Sequence, residues 1–322
     1  MTRDNVVLVG VDGSAASLHA LDWAAAEAVT HGFTLKLVCA YSLPSFTAAS
    51  LDGGYAALDD TAIQVGAKVV LAEAQARTDA LGVPAVSCLA TGDATGVLVD
   101  LSRTARLVVL GTRGGGGFAD RLLGTVSSAL PAHAFCPTVV VPTRPPVHAN
   151  DVDQQPIASV RRIVVGVDGS PASDLALRQA IREAKAWGAE LTAVAGVPLG
   201  SGAGALAWLP AAIDHEAVLA DVAEGLNVVV DRALIDLPGV QVKRHALDGT
   251  GAALLTEFST ATDLIVVGSR GRGGFTGLLL GSTSQAVLHH SASAVMVVTA
   301  RSTEGTPTPP GARIQGIGDL YH

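Results

Sequence analysis

Residues 107–126 read LVVLGTRGGGGFADRLLGTV, and residues 264–283 read LIVVGSRGRGGFTGLLLGST. Each begins as a short apolar run of strand type, passes into glycines and leads towards a helix start. Of the 36 glycines in the chain, six lie in residues 111–124 and six in residues 268–281. Their spacing is matched: Gly111-x2-Gly114-x9-Gly124-Thr125 against Gly268-x2-Gly271-x9-Gly281-Ser282. A strand, a glycine-rich turn and a helix N-terminus together make an anion site. The glycines let backbone come close to a ligand, and the helix start presents N–H groups and partial positive charge. Oxygens of phosphate are the natural occupant.

The match extends outward. Residues 9–28 and 165–184 share 13 of 20 positions at a shift of 156, including Val-Gly-Val-Asp-Gly-Ser, and residues 107–129 and 264–286 share 13 of 23 at a shift of 157. A period of that length is a domain and not a solenoid repeat. The length of 322 residues, set against a mean of ~150 per domain, agrees with a duplication. The expected division is residues 1–142, a linker over 143–159 rich in Pro, Asn, Asp and Gln, a second domain over 160–300, and a disordered Thr/Pro/Gly tail over 301–322.

Within each half, strands and helices alternate. Val6–Val11 is a strand, followed by Ser14 as N-cap and a helix over 16–31 that ends at Gly32. Then come Leu35–Ala40, a helix over 62–81, Val83–Leu89, a helix over 95–102, Leu107–Leu110, a short helix and Val139–Val141. The copy repeats this from Ile163–Val167 to Val295–Val298, with its third strand at Val240–Ala246. Strands apolar on both sides, alternating with helices, predict parallel sheets covered on both faces. Each half is therefore read as a doubly wound, Rossmann-like α/β domain with a five-stranded parallel sheet.

Charge and composition exclude several functions. A net charge of −8 offers no general attraction to nucleic acid. No apolar run reaches the ~18 residues of a membrane span, and the start of the chain has no signal-peptide pattern. Cys39, Cys88 and Cys136 form no C-x-x-C pair and are odd in number, which fits a reducing compartment, the cytoplasm. His133 with Cys136, and the adjacent His289 and His290, are read as packing or solvated residues and not as metal ligands. Ser14 and Ser170 lack a nucleophile elbow.

The glycine loops are neither of two common phosphate motifs. The four lysines, Lys36, Lys68, Lys185 and Lys243, are all remote from them, so a P-loop is excluded. A dinucleotide fingerprint would follow the first strand. With strand order 3-2-1-4-5, the loops after strands one and four would flank the crevice at the switch in strand order, where ligands of open α/β sheets bind.

On the doubled G-x2-G-x9-G-[ST] pattern, each half resembles a universal stress protein domain of the ATP-binding type. The resemblance covers residues 1–142 and 160–299. It implies an adenine-nucleotide pocket in each half and association of the halves through their fifth strands, with further pairing of chains into a homodimer. It also implies the site residues. In the first half these are Gly10, Asp12, Ala40, Gly111, Thr112, Arg113, Gly114, Gly115, Gly116, Gly117, Arg121, Gly124, Thr125 and Val126. In the second they are Gly166, Asp168, Gly196, Gly268, Ser269, Arg270, Gly271, Arg272, Gly273, Gly274, Gly281, Ser282 and Thr283.

Two readings stand for Asp12 and Asp168. Either the Asp-Gly turn merely positions a helix cap, or the carboxylate faces adenine or ribose. Contact with phosphate would require Mg²⁺ between them. Thr125 and Ser282 are expected to cap the next helix and to donate to a phosphate oxygen. Arg121 aligns with Leu278 and Gly115 with Arg272, so the two pockets should grip phosphate differently. Pro131, where the copy has Leu288, should kink or shorten its helix.

The functional expectation is a non-enzymatic ATP-binding regulator of stress survival or growth, without nucleic-acid or membrane partners. The alternative is a slow Mg²⁺-dependent ATP hydrolase or adenylyl-transfer enzyme. A scaffold that binds cyclic nucleotide, or nothing, is a third reading.

Overall fold

The computed structural model describes residues 4–42, 60–112, 123–143, 159–199, 214–271 and 280–302. In the first half, β1 (Val6–Gly10), α1 (Ala15–His31), β2 (Thr34–Tyr41), α2 (Asp60–Ala80), β3 (Ala85–Thr91), α3 (Ala94–Leu101), β4 (Leu107–Gly111), α4 (Thr125–His133) and β5 (Thr138–Val141) follow in order. The second half repeats them as β6 (Arg162–Gly166), α5 (Pro171–Trp187), β7 (Glu190–Val197), α6 (His215–Asp236), β8 (Val242–Asp248), α7 (Gly251–Phe258), β9 (Leu264–Gly268), α8 (Ser282–His290) and β10 (Ala294–Val298).

Each half has the order 3-2-1-4-5 with all internal pairs parallel, and the halves meet where β5 and β10 pair antiparallel. One ten-stranded sheet results, β3-β2-β1-β4-β5-β10-β9-β6-β7-β8. At the seam Val139 lies opposite Met296. These are equivalent residues at the 157-residue shift, so the pseudo-twofold axis of the duplication passes between them. A single buried cluster runs across both halves on the face covered by α1, α2, α5 and α6.

Local chemistry explains the helix limits. Ser14 Oγ accepts from Ser17 N at 3.1 Å and Ser170 Oγ from Ser173 N at 3.2 Å, capping α1 and α5 as the sequence predicts. Gly32 and Gly188 end these helices in the left-handed region at φ 67° and 63°.

The third strands are displaced from their expected positions. β3 begins at Ala85 and not Val83, because Val83 N bonds back to Thr78 O at 3.0 Å and so closes the end of α2. β8 likewise runs Val242–Asp248 in place of 240–246. Both are edge strands with largely unburied residues, so their apolar pattern marks position weakly.

Pro131 does not shorten its helix. α4 and α8 both have nine residues. A proline at the seventh position removes only its own bond to the carbonyl four residues earlier, while Ala134 N still reaches Leu130 O at 2.9 Å.

Candidate functional site

The carboxyl ends of β1 and β4, and of β6 and β9, each border a crevice. That of the first half is a cavity of about 330 Å³ bounded by Gly10, Asp12, Ala40, Gly111, Gly124, Thr125 and Val126 among others. Its counterpart, about 410 Å³, is bounded by Gly166, Asp168, Gly196, Gly268, Arg270, Gly271, Gly281, Ser282 and Thr283 among others. The expected residues on four separate strands and helices are thus brought together in each half. Arg113, Gly114, Gly115, Gly116, Gly117, Arg121, Arg272, Gly273 and Gly274 lie outside the described residues.

At the floor, the glycines serve packing. A Cβ on Gly111 would lie 2.5 Å from Ala16 O, and one on Gly268 would lie 2.6 Å from Ala172 O. The end of the fourth strand therefore presses on the first turn of the first helix. A side chain is therefore excluded at both positions by packing, and both glycines also line the cavities.

Asp12 and Asp168 hold the turn that leads into the helix cap. Asp12 Oδ1 accepts from Ser14 N at 3.0 Å and Ser14 Oγ at 2.6 Å. Asp168 Oδ1 accepts from Ser170 N at 2.9 Å. These turns need the left-handed glycines that follow, Gly13 at φ 78° and Gly169 at φ 75°. The carboxylates still line the cavities. Near Asp12, burial and then the Asp12 charge push the Cys39 thiol up, which keeps it protonated at neutral pH.

At the start of α4 and α8 the expected caps are corrected. The N-caps are Gly124 (φ −72°, ψ 166°) and Gly281 (φ −71°, ψ 157°), and neither helix receives a side-chain cap. Thr125 and Ser282 are the first residues inside the helix, one place too late to cap it. The first-turn residues Thr125, Val126 and Ser127, and Ser282, Thr283 and Ser284, line the cavities. Their N–H groups have no partner within the helix, and the macrodipole adds positive potential there.

Thr112 and Ser269 directly follow the last residues of β4 and β9. Their N–H groups donate to Val141 O at 3.1 Å and Val298 O at 2.8 Å, extending the strand pairing past the glycine. Sequence reading also missed two serines. Ser127 Oγ donates to Thr112 O at 3.0 Å, and Ser284 Oγ to Gly268 O at 2.6 Å, bolting the helix start to the end of the strand. A serine two places after Thr125 and Ser282 in both copies was the available mark. Ser17, Leu98, Ser173 and Leu255, which complete the walls, gave no mark beyond ordinary helix pattern.

The pattern of the Universal stress protein family matches residues 5–142 and again residues 159–299. The chain belongs to the universal stress protein family. Two mycobacterial relatives show how far this extends. Universal stress protein Rv2005c of Mycobacterium tuberculosis (strain ATCC 25618 / H37Rv) is 35% identical over 317 residues, covering 94% of this chain and 98% of the relative. Universal stress protein Rv2623 of the same organism is 33% identical over 306 residues, covering 90% and 95%. The solved universal stress protein from Archaeoglobus fulgidus DSM 4304 superposes with a TM-score of 0.63 at 23% identity, over 92% of this chain and 98% of that one. The tandem fold of this universal stress protein is thus shared with a solved structure. Among its described residues, no helix is long and apolar enough to cross a membrane.

Proposed function

We propose that each half of the chain binds one adenine nucleotide, ATP, with its phosphates on the N-terminus of α4 or α8 and its base and ribose towards Asp12 and Ala40, or Asp168 and Gly196. The observation that carries this reading is the repeated helix start without a side-chain cap, opening into a crevice at the switch in strand order. Cavities of about 410 and 330 Å³ fall in the ~300–1,000 Å³ range of small-molecule sites. First-turn N–H groups would hold phosphate oxygens. The carboxylates would accept from ribose hydroxyls or the adenine amino group, and would approach phosphate only through Mg²⁺.

The role supported best is binding. Among the described lining residues, the charged side chains are Asp12, Asp168 and Arg270, and no lysine or histidine stands ready to move a proton. The protein would act in the cytoplasm as a nucleotide-dependent regulator of stress survival or growth, and as a homodimer. Equilibrium dialysis of the stripped full chain with ATP tests the binding. Close to two nucleotides per chain are expected, and a stoichiometry well below one overturns it. ATP turnover that falls in Asp12→Ala and Asp168→Ala while binding persists would instead favour the hydrolase or adenylyl-transfer reading.

A further inference from the structure

Where α1 and α5 meet over the β5–β10 seam, the duplication places the same residue twice. Glu27 of α1 and Glu183 of α5 are equivalent at the 156-residue shift, and both are 2% exposed. One turn later, His31 and Trp187 are equivalent to each other. Each glutamate reaches across the pseudo-twofold axis: Trp187 Nε1 donates to Glu27 Oε2 at 2.9 Å, and His31 Nε2 lies 3.0 Å from Glu183 Oε2. His31 Nε2 is also 3.1 Å from Glu27 Oε1. The replacement of a second indole by an imidazole breaks the symmetry and gathers three ligand-type atoms, two oxygens and one nitrogen, within 4.8 Å of one another.

The three atoms are oriented from behind. Glu27 Oε2 is held by the Trp187 indole, and Glu183 Oε1 accepts from Gln179 Nε2 at 2.7 Å. Gln179 is itself oriented by Arg182 Nη1 on its Oε1 at 3.3 Å. The His31 ring stacks on Phe33 with centroids 5.1 Å apart. Each carboxylate therefore has one oxygen fixed by a neutral donor and the other aimed at the imidazole nitrogen, which is how outer groups orient metal ligands.

Charge completes the argument. His31 Nε2 can offer one proton, while two buried carboxylate oxygens converge on it. With both carboxylates ionised, an imidazolium leaves the cluster with a net negative charge out of water, which is unfavourable. A divalent ion on two carboxylates and a neutral imidazole is electrically balanced.

We infer that Glu27, His31 and Glu183 form a binding site for a first-row divalent metal ion of the zinc type, clasping the first half of the chain to the second. Zinc bonds of ~2.0–2.2 Å to nitrogen and oxygen put neighbouring tetrahedral ligands roughly 3.3–3.5 Å apart. The present 3.0 and 3.1 Å need to open by only a few tenths of an ångström. Oxygen and nitrogen donors without thiolate suit zinc, manganese or cobalt better than the all-oxygen ions calcium and magnesium. His31, the partly exposed member at 17%, gives solvent a route to the remaining coordination position. The site is separate from both nucleotide crevices and does not depend on them.

The test uses the full chain stripped with chelator and titrated with Zn²⁺ by calorimetry, and with Co²⁺ by absorption. One ion per chain is expected, with a higher melting temperature and a cobalt spectrum free of a thiolate charge-transfer band. His31→Gln and Glu183→Gln should each weaken binding about ten-fold or more, and Trp187→Phe should weaken it by at least about ten-fold while leaving the ligands in place. Absence of binding at tens-of-micromolar protein, or equal binding by wild type and folded His31→Gln and Glu183→Gln chains, overturns the inference. If those variants do not fold, the wild-type spectrum decides: bands of nitrogen and oxygen ligation support the site, and a thiolate band places the ion on a cysteine and overturns it.

Discussion

The two crevices descend from one motif but are wired differently. In the first half, Ser14 gives both its N–H and its hydroxyl to Asp12. In the second, Ser170 gives Asp168 only its N–H, and its hydroxyl reaches forward to Arg270 O at 3.3 Å. That bond draws the beginning of the glycine loop onto the Asp-Gly turn, and a Cβ on Gly271 would overlap Asp168 Oδ2. Ala40 faces the first cavity where the second has Gly196, whose absent Cβ would lie 2.8 Å from Gly249 O. Equal motifs therefore do not make equal sites. The residues that distinguish them are the neighbours of the motif.

The strongest challenge to the equivalence of the halves is to fill the glycines at the ends of their fourth strands. Gly111→Val and Gly268→Val drive a side chain into helix backbone, and each is expected to destabilise its half by about 3 kcal/mol or more. Calorimetric melting without ligand checks this. Unchanged melting would show that the helix backbone yields at these positions.

A smaller effect separates the fifth strands. Thr138 Oγ1 is buried without a hydrogen-bond partner, whereas the equivalent Val295 needs none. Val295→Thr should cost about 1–3 kcal/mol, the desolvation of an unpaired hydroxyl, as read from chemical denaturation.

Removing the caps sharpens the comparison further. Ser14→Ala and Ser170→Ala should each lower stability by about 1 kcal/mol. Ser170→Ala also removes the hydroxyl that donates to Arg270 O, so hydrogen exchange at the beginning of the second loop should quicken in that variant. The smallest expected effect is a gain: Thr138→Val should stabilise by up to about 1 kcal/mol, and a loss of stability in denaturant melts would show that the hydroxyl has a partner after all.

Much of the site was legible because it rests on local, repeated chemistry. Asp12 and Asp168, the glycines at 111, 124, 268 and 281, and the helix starts beside them stand at matched spacings, and short strands hold them on one edge of each sheet. Other assignments failed for physical reasons. Thr125 and Ser282 looked like caps because hydroxyl residues usually occupy that place, but an extended glycine one residue earlier had taken it. Val83 is apolar like a strand residue and serves to end a helix.

By itself the sequence determined the duplication, the alternation of strand and helix, and a matched glycine spacing in each half. All of these are written in spacing along the chain, because backbone geometry converts spacing directly into a helix face or a strand end. Only the tertiary structure decided that the two sheets join at Val139 and Met296, and that Glu27, His31, Glu183 and Trp187 meet across the axis this creates. In the sequence Glu27 and Glu183 are an ordinary pair of matched residues, 156 positions apart. Their significance arises from burial against each other, and spacing within one helix carries no information about what a second helix brings to its face.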